Sequence, residues 1–319
     1  MKKLKKYSFV SSLLLAGVLT LSACSMGTEN GPAQNAGNTA NNGAKDGKVK
    51  IGLSISTQNN PFFVTLKDGA EKAAKEAGAE LIVVDAQDDT SKQISGIEDL
   101  IQQKVDVILI NPTDSDAVVT AVESANNANI PVITVDRGSN GGTVVTHIAS
   151  DNVKGGQMAG DYILEKIGGK GNIVELQGIA GTSAARDRGE GFHKAVDGKD
   201  GVKVIASQPA DFDRAKGLSV MENILQSNGD IQAVFAHNDE MALGALQAIE
   251  AAGKKDIVVV GFDATDDAVN AVNAGTLGAT VAQKPEMIGK QSIETAIKVA
   301  AGEQVDSAIP VELELVTKK

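Results

Sequence analysis

The sequence is poor in cysteine, aromatic residues and histidine. Cys24 is the only cysteine among 319 residues, so the chain cannot form an internal disulfide. Tryptophan is absent, and the sequence contains two Tyr and seven Phe. The three histidines, His147, His193 and His237, show no metal-ligand spacing. A disulfide-stabilised scaffold is therefore excluded, and a histidine metal site is not indicated.

Motifs for nucleotide, calcium and covalent chemistry are also missing. The stretch from Gly178 to Gly181, GIAG, does not spell G-x-G-x-x-G, and no G-x-x-x-x-G-K-[ST] occurs. Residues 85–90, DAQDDT, lack the glycine that a calcium loop requires at its sixth position. Hydrolysis would need a poised nucleophile or a metal, and neither is indicated. We therefore expect a protein that is not an enzyme and that uses no cofactor and no metal.

The long apolar run of the sequence lies at residues 9–21, directly after four lysines. This arrangement is typical of a secretory signal, and the run is shorter than the roughly 20 apolar residues of a membrane-spanning helix. It ends in LSAC, which resembles the lipobox of bacterial lipoproteins, where the cysteine is diacylated with fatty acids such as palmitate. An ordinary signal peptide with a chance cysteine is the alternative. We expect Cys24 to anchor the protein to the extracytoplasmic face of the cell membrane.

The segment after Cys24 is rich in Gly, Asn, Ala and Thr and has no apolar period. Such a segment cannot bury enough surface to order itself, so residues 24–47 are predicted to be a flexible tether. A coil of this length spans roughly 25 Å at about 5–6 Å × √n. That distance is enough to hold a folded body clear of a membrane.

The folded body is predicted to be acidic and to have two domains. The formal charge of the whole chain is −11, and it becomes −15 when residues 1–23, with their four lysines, are removed. Nucleic acid is a poor partner for so negative a protein. The remaining body of about 270 residues exceeds what a single core usually serves.

Strand-like and helix-like segments alternate regularly along this body, which predicts parallel βαβ units. We expect an α/β protein of two doubly wound parallel-sheet domains, whose carboxyl edges face a shared cleft where ligands bind. The predicted strands are residues 49–55, 80–85, 106–111, 132–136, 143–149, 172–177, 202–207, 232–237, 257–263, 275–283 and 309–316. The predicted helices are residues 67–78 (starting as early as Pro61), 91–103, 115–129, 154–167, 183–196, 214–226, 240–252 and 285–301.

The opening unit of the body, residues 48–63, shows this design most clearly. Its short apolar strand runs into a polar turn, where Asn60 suits a helix N-cap and Pro61 the first helical position. Ser56, Asn60, Phe62 and Phe63 are therefore expected to meet where a strand ends and a helix begins.

Four phenylalanines, Phe62, Phe63, Phe212 and Phe262, fall at predicted strand ends or just after them. Ordinary core packing would scatter aromatic rings among strands and helix faces. A sugar has apolar C–H faces that match aromatic rings and a rim of hydroxyls left for hydrogen bonds. The sequence thus predicts a stacking surface, and the alternative is that these rings plug the ends of the two cores.

Polar side chains occupy the same predicted edges and could bind pairs of hydroxyls through two atoms at once. Each has a plainer interpretation: a turn at Asn111, a helix cap at Asn238, and surface ion pairs for the charged residues. Their coincidence at matching edges of two domains favours a sugar site. The polar candidates are Asn111, Asp136, Arg137, Arg188, Asn238, Asp263 and Gln283.

Several stretches resemble one known family. They are STQNNPFFVTLKDGA, LINPTDSDAV, IPVITVDR, HIASDN, AGDYI, ELQGIAGTSAARDRGEGF, SQPADFDR, AVFAHNDEMALGAL and VVGFD. From about residue 48 to its end, the chain resembles the ribose-binding proteins of bacterial ABC importers. The resemblance implies the type I periplasmic binding fold, in which two similar α/β domains are joined by a three-segment hinge and close on one sugar.

Carried over residue by residue, the resemblance places Ser56, Asn60, Asn111, Asp136 and Arg137 on one side of the sugar and Arg188, Asn238, Asp263 and Gln283 on the other. Phe62 and Phe63 would flank one face and Phe212 the other, with Phe262 close by. The chain would cross between domains near Ser150, Gln283 and Val311. The implied division is a signal peptide (1–23), a lipidated tether (24–47), an amino-terminal domain (48–150 plus 284–311) and a carboxy-terminal domain (151–283 plus 312–319).

The resemblance implies capture of D-ribose and its delivery to an ABC permease and its ATPase, by a monomer. A same-fold receptor for a furanone-derived quorum signal or for another pentose is the alternative. Sugar-responsive repressors share the fold but begin with a DNA-binding headpiece, whereas this chain has a secretion signal and an acidic body. Departures from the family pattern lie in the helices, the tether and residues 139–143, away from the predicted site.

Overall fold

The computed structural model describes residues 47–318. The predicted signal peptide, the Cys24 lipidation site and residues 24–46 of the predicted tether lie outside this range. Its helices are α1 (Pro61–Ala77), α2 (Thr90–Gln102), α3 (Val119–Asn127), α4 (Asn152–Lys166), α5 (Ser183–Val196), α6 (Arg214–Ser227), α7 (Asp239–Ala251), α8 (Asp266–Ala274) and α9 (Pro285–Ala300). Its strands are β1 (Lys50–Ile55), β2 (Glu80–Asp85), β3 (Val107–Ile110), β4 (Val132–Val135), β5 (Thr146–Ser150), β6 (Gly171–Gln177), β7 (Val202–Pro209), β8 (Ala233–Ala236), β9 (Val258–Asp263), β10 (Ala279–Ala282), β11 (Ala308–Val311) and β12 (Glu314–Thr317).

The strands form two six-stranded sheets of matching order. The first is β11-β5-β4-β3-β1-β2, with all neighbours parallel. The second is β12-β10-β9-β8-β6-β7, parallel except for the edge pair β10 and β12. Every residue of the central strands β3, β4 and β8 is buried, as expected for parallel sheets covered on both faces by helices. The predicted α/β class with two doubly wound sheets is confirmed.

The chain passes between the two sheets three times. It leaves the first sheet after β5, returns to it through β11 after β10, and leaves it again in the short step from β11 to β12. These passages follow Ser150, Ala282 and Val311. The exact domain boundaries given above stay a prediction.

The first helix begins as the sequence predicts. Asn60 Oδ1 accepts a hydrogen bond from Phe62 N at 2.9 Å, and Pro61 occupies the first turn, where its missing N–H costs nothing. Gly78 ends the helix in the left-handed conformation, with φ of 69°. These signals bring Phe62 and Phe63 to the carboxyl edge of β1, both of them buried.

Helices α4 and α5 approach each other so closely that only glycine fits between them. A Cβ atom at Gly156 would lie 2.0 Å from the carbonyl oxygen of Arg188, and one at Gly191 would lie 1.9 Å from that of Val153. The contact fixes the height of α5 above the second sheet, and thereby the position from which Arg188 extends.

Two segments differ from the sequence prediction. Helix α8 was missed because it is only nine residues long and its sequence, DDAVNAVNA, has few strongly apolar positions. The single strand predicted at 309–316 is in fact β11 and β12, which belong to different sheets. Apolar and polar residues alternate through this segment without a turn signal. None is needed, because the chain passes from one sheet to the other without reversing sharply.

Candidate ligand-binding site

A narrow cavity, with about 240 Å³ of empty space when the solvent at its mouth is included, lies between the carboxyl edges of the two sheets. Both halves of the fold contribute to its wall. The lining residues are Asn60, Phe62, Phe63, Asp136 and Arg137 from the first half, and Ala184, Arg188, Phe212, Asn238, Asp263 and Gln283 from the second.

Every residue predicted from the sequence to bind the ligand lines this cavity except Ser56, Asn111 and Phe262. All three are buried: Asn111 contacts Asp136 of the wall, Phe262 contacts Arg188 of the wall, and Ser56 hydrogen-bonds to Asn111 behind it. Direct contact of the predicted residues with a ligand stays a prediction. The alternative that the rings plug the cores holds for Phe262, which is fully buried in the core of the second half. Phe62, Phe63 and Phe212 also pack into the cores, but they reach the cavity wall as well.

Asn111 supports the acidic part of the first half's wall. Its Nδ2 donates to Val135 O at 3.0 Å and lies 3.4 Å from Asp136 Oδ2, while its Oδ1 accepts from Ser56 N at 3.2 Å. Burial raises the pKa of Asp136, although Arg137 and Arg188 act in the opposite direction. Asn111 therefore holds the carboxylate in place and does more than shape the turn before Pro112.

Arg137 is held between the two halves. Its Nη1 donates to Pro112 O at 3.2 Å, and its Nε lies 3.9 Å from Asp136 Oδ2. The guanidinium carbon is 4.9 Å from the centre of the Phe63 ring and 5.2 Å from that of Phe212. A guanidinium between two aromatic faces is favoured by the ring quadrupoles, so this buried cation is stabilised from both domains.

Arg188 forms the counterpart in the second half. Its Nε donates to Asn152 Oδ1 at 2.8 Å and its Nη1 to His237 O at 2.6 Å. The same Nη1 lies 3.7 Å from Asp263 Oδ1, and the guanidinium carbon lies 3.8 Å from the centre of the Phe262 ring. The predicted Arg–Asp pairs are thus buried ion pairs with loose geometry, and the surface ion-pair alternative is wrong for them.

Asp263 is a carboxylate that is costly to ionise. Burial raises its pKa to about 7, even though Arg188 and a 2.9 Å hydrogen bond from Gln283 Nε2 favour the charged form. Coulomb attraction at 3.7 Å offsets only part of the lost solvation. Additional hydrogen-bond donors at the cavity would stabilise the charged carboxylate further.

Several buried polar atoms on the cavity wall or directly behind it have no hydrogen-bond partner among the described residues. They are Ser56 Oγ, Asp136 Oδ1, Arg137 Nε and Gln283 Oε1. An unmade hydrogen bond of this kind costs about 1–3 kcal/mol. The set contains both donors and acceptors, which is what the hydroxyl groups of a polyhydroxylated ligand would satisfy.

The two asparagines on the wall also act as helix caps. Asn238 Oδ1 accepts from Met241 N at 3.0 Å, and its Nδ2 donates to Phe212 O at 3.2 Å. Asn60 caps α1 in the same way. The capping interpretation is therefore correct for Asn238, and both asparagines lie on the cavity wall as well.

Three residues of the wall have backbone conformations that L-amino acids rarely adopt. The φ angles are 62° at Asp136, 60° at Phe212 and 117° at Asp263. Such strain costs on the order of 1–3 kcal/mol per residue and is retained at functional sites. All three residues with these backbone conformations have side chains on the cavity wall.

Direct hydrogen bonds join the two halves beside the cavity. Gly138 N donates to Ser183 Oγ at 2.9 Å, and Ser183 N donates to Ser115 Oγ at 3.2 Å. Arg186 Nη2 donates to Asn140 Oδ1 at 3.2 Å. These bonds connect the loops after β3 and β4 with the start of α5, so the described conformation is closed around the cavity.

Sequence reasoning missed two residues that shape the site. Ala184 lines the cavity, but its methyl group carries no chemical signal that sequence could reveal. Asn152 holds the Arg188 guanidinium in place, because its Oδ1 accepts a hydrogen bond from Arg188 Nε. Its place after the helix cap Asp151 concealed this second task.

Neither a metal cluster nor a membrane helix is found in residues 47–318. No group of three or more His, Cys, Asp or Glu side chains is arranged there to hold a metal ion. Within the same residues, no helix combines the length and the apolar character needed to cross a membrane.

The chain matches known proteins over almost all of the described residues. The family model described as a periplasmic binding protein domain matches residues 51–304. The Ribose import binding protein RbsB of Bacillus subtilis (strain 168) is 54% identical over 310 residues, covering 97% of this chain and 99% of the relative. The protein of the same name from Escherichia coli (strain K12) is 57% identical over 281 residues, covering 88% and 94%.

Solved structures agree with this relationship. An ABC transporter solute-binding protein from Bacillus halodurans, with bound myo-inositol, superimposes with a TM-score of 0.82 at 35% identity and covers 86% of this chain and 96% of its own. A periplasmic solute-binding protein from Actinobacillus succinogenes, with bound D-allose, gives 0.80 at 33% identity and covers 85% and 98%. The resemblance and the type I fold predicted from the sequence are confirmed. The chain belongs to the periplasmic binding protein family, and the cavity between its two sheets is its candidate ligand site.

Proposed function

We propose that the protein captures D-ribose in the cleft between its two domains and delivers it to an ABC importer. The observation that carries this proposal is the cavity itself, in which two buried arginine–aspartate pairs and three phenylalanines converge from both domains. The two RbsB relatives, whose names state ribose import, support the choice of sugar. No bond of the sugar is made or broken in this function, so the protein itself is not an enzyme.

The wall of the cavity has the composition that a small sugar requires. Carboxylates, guanidiniums and amides bind vicinal hydroxyls through two atoms, and charge-assisted hydrogen bonds are the stronger ones. Ring faces of Phe62, Phe63 and Phe212 can cover the apolar C–H faces of a pyranose or furanose. The unpartnered atoms of Asp136, Arg137 and Gln283 would then gain the partners that they lack.

Ribose is proposed to act by closing the cleft. Since each domain supplies only part of the hydrogen bonds, the closed conformation should bind the sugar far more tightly than an open one. The rotation would be absorbed where the chain passes between the sheets, near Ser150, Gln283 and Val311. The closed rims would form a composite surface for a permease and its ATPase, with the binding protein acting as a monomer.

The protein is further proposed to be an extracytoplasmic lipoprotein, and the LSAC motif after an apolar run supports this. Two acyl chains on Cys24 would give a stable anchor, whereas one chain alone binds membranes marginally. We propose the division into a signal peptide (1–23), a tether (24–47) and two domains, 48–150 plus 284–311 and 151–283 plus 312–319.

Calorimetric titration of the purified protein tests the ligand. D-ribose, other pentoses, hexoses and a furanone-derived quorum signal should be compared under identical conditions. Tightest binding of D-ribose supports the proposal. If another pentose or the furanone signal binds more tightly, that molecule and not ribose is the ligand. If no sugar binds, the proposal of sugar capture is refuted.

A further inference from the structure

Glu175 is a fully buried carboxylate in β6 that the sugar cavity does not use directly. Its Oε1 lies 2.9 Å from His237 Nε2. Its Oε2 accepts hydrogen bonds from Gln177 Nε2 at 3.1 Å and from the Ser207 hydroxyl, and lies 3.4 Å from His193 Nε2. A single carboxylate thus connects β6 with β7, with α5 and with the residue after β8.

The hydrogen bonds of His237 define its tautomer. Gly178 N donates to His237 Nδ1 at 3.3 Å, so Nδ1 is an acceptor and the ring proton is on Nε2, facing Glu175. Burial lowers the pKa of His237, although the bond with Glu175 acts in the opposite direction, so the ring is neutral at neutral pH. Arg188, His193 and Glu175 are the charged or titratable groups that act on it from α5 and β6.

The Glu175–His237 pair reaches the sugar cavity through two backbone groups. The carbonyl oxygen of His237 accepts the 2.6 Å hydrogen bond from Arg188 Nη1. Gly178, whose amide is held by the His237 ring, lies directly against Phe212: a Cβ at position 178 would be 2.0 Å from the end of the Phe212 ring. The pair therefore touches the supports of one cation and one aromatic ring of the wall.

Helix α5 also packs against the Glu175–His237 pair. A Cβ at Gly189, next to Arg188, would lie 3.3 Å from Glu175 Oε1 and 3.4 Å from the His237 ring. One turn further on, His193 contacts the other oxygen of the same carboxylate. Glu175 and His237 therefore contact the α5 backbone next to Arg188 and help to fix its position.

We propose that Glu175 and His237 are positioning residues for sugar binding, which orient Arg188 and Phe212 without touching the ligand. This inference rests on the proposed sugar-binding function. The pair acts through a chain of hydrogen bonds, Glu175 to the His237 ring and the His237 carbonyl to Arg188, with Gly178 as a second branch.

The variant Glu175→Gln tests the first link. Glutamine keeps the volume of glutamate but loses the charge that orders four partners, so Arg188 and Phe212 should be less well held. We expect the dissociation constant for D-ribose to rise roughly tenfold or more, equivalent to about 1.4 kcal/mol. The matched control is Glu190→Gln, which removes an exposed carboxylate from the same α5 helix, where it pairs with Lys194. Its dissociation constant should stay within about twofold of the parent.

A double-mutant cycle separates positioning from general destabilisation. Combining Glu175→Gln with Arg188→Lys should give a smaller total loss than the sum of the single losses, since both act on one guanidinium. Combined with Asn60→Ser, on the part of the wall that the other domain contributes, the losses should add. Additive losses in both combinations would show that Glu175 has a merely structural role.

The conservative variant His237→Gln keeps a side-chain donor near Glu175 but loses the ring acceptor for Gly178 N, and it covers the case in which Glu175→Gln does not fold. It should retain more ribose affinity than His237→Leu, which keeps neither bond. Equal affinities of these two variants would overturn the proposal.

Nuclear magnetic resonance tests the inference without any sugar. In the parent, His237 should show the Nε2-protonated tautomer, and Glu175→Gln should shift the signals of Gly178 N–H and Arg188 Nε–H while Glu190→Gln leaves them unchanged. Unshifted signals in Glu175→Gln would refute the positioning role. If the parent binds no ribose, the proposed function fails, and these signals still decide the inference.

Discussion

The Arg188 guanidinium lies 3.8 Å above the Phe262 ring, although the two residues belong to different layers of the site. Arg188 lines the cavity, whereas Phe262 is fully buried behind it. A cation that has lost its water over an aromatic face gains on the order of 2 kcal/mol. Phe262 therefore influences the ligand through the cation that it supports.

We predict that Phe262→Leu weakens ribose binding several-fold, because leucine fills much of the space but offers no ring face to Arg188. A matched control is Ile163→Ala, which truncates another fully buried side chain of the same core, near the far end of α4. Both variants should lower the melting temperature, since each loses apolar volume. Titration calorimetry on the folded variants distinguishes the two positions: an equal loss of affinity in both would show that Phe262 contributes only to core packing.

Ribose binding should weaken as the pH falls below 7. Asp263, with its pKa raised to about 7 by burial, becomes protonated in that range and can no longer accept hydrogen bonds on both oxygens. Sugar hydroxyls and Arg188 favour the charged form, so binding should release a fraction of a proton near pH 6–7. Calorimetry in buffers of different ionisation enthalpy measures that release. Asp263→Asn should show a smaller proton release and a weaker dependence on pH, and what remains comes from Asp136, whose pKa burial also raises.

Protonation of Asp263 should weaken ribose binding but stabilise the folded state of the free protein. Between the unfolded pKa of about 3.9 and the folded pKa of about 7, the native state of the free protein binds more protons at Asp263 than the unfolded state. Its contribution to stability is therefore full below about pH 4 and is lost as the pH rises through 7. Denaturant titrations should show that the difference in unfolding free energy between the parent and Asp263→Asn changes in favour of the parent from pH 7 to pH 5. A constant difference would contradict the raised pKa.

Much of the fold and the wall of the cavity could be predicted because their signals are local. An apolar strand that runs into Asn60 and Pro61 specifies both a helix start and the edge where Phe62 and Phe63 lie. Parallel βαβ order then brings such edges together, so residues as distant in sequence as Arg137 and Phe212 converge. Helix α8 escaped prediction because it has only nine residues, too few turns to establish a helical period in the sequence.

The support behind the wall could not be predicted in the same way. The pattern ELQ around Glu175 is that of any buried strand, and nothing local shows that a carboxylate there will meet His237. Aspartate adopts a positive φ more readily than most residues, but nothing in the local sequence shows that Asp136 and Asp263 will do so. Sequence thus indicates which side chains reach an edge, while the packing behind that edge determines how they are held.

The variant Cys24→Ser should release the protein into the medium or leave an uncleaved precursor. Serine lacks the thiol that would carry the diacylglyceryl group, so both acyl chains would be lost together. Membrane fractionation and mass spectrometry of the amino terminus measure the outcome. A matched change in the predicted tether, Ser25→Ala, should leave the protein on the membrane. Undiminished lipidation and membrane retention of Cys24→Ser would rule out the anchor.

Domain closure predicts a measurable change in shape. The hydrogen bonds between Gly138, Ser183 and Ser115, and between Arg186 and Asn140, join the two halves beside the cavity. They are few, and those at the protein surface contribute little individually, so without sugar an open conformation should be well populated. Bound ribose adds hydrogen bonds to both domains at once and favours the closed form by its difference in affinity. Small-angle scattering should therefore show a smaller radius of gyration at saturating ribose, and no change with a sugar that calorimetry shows not to bind. An unchanged radius in protein that is demonstrably saturated with ribose would mean that the cleft is already closed when empty, and that sugar does not drive the motion.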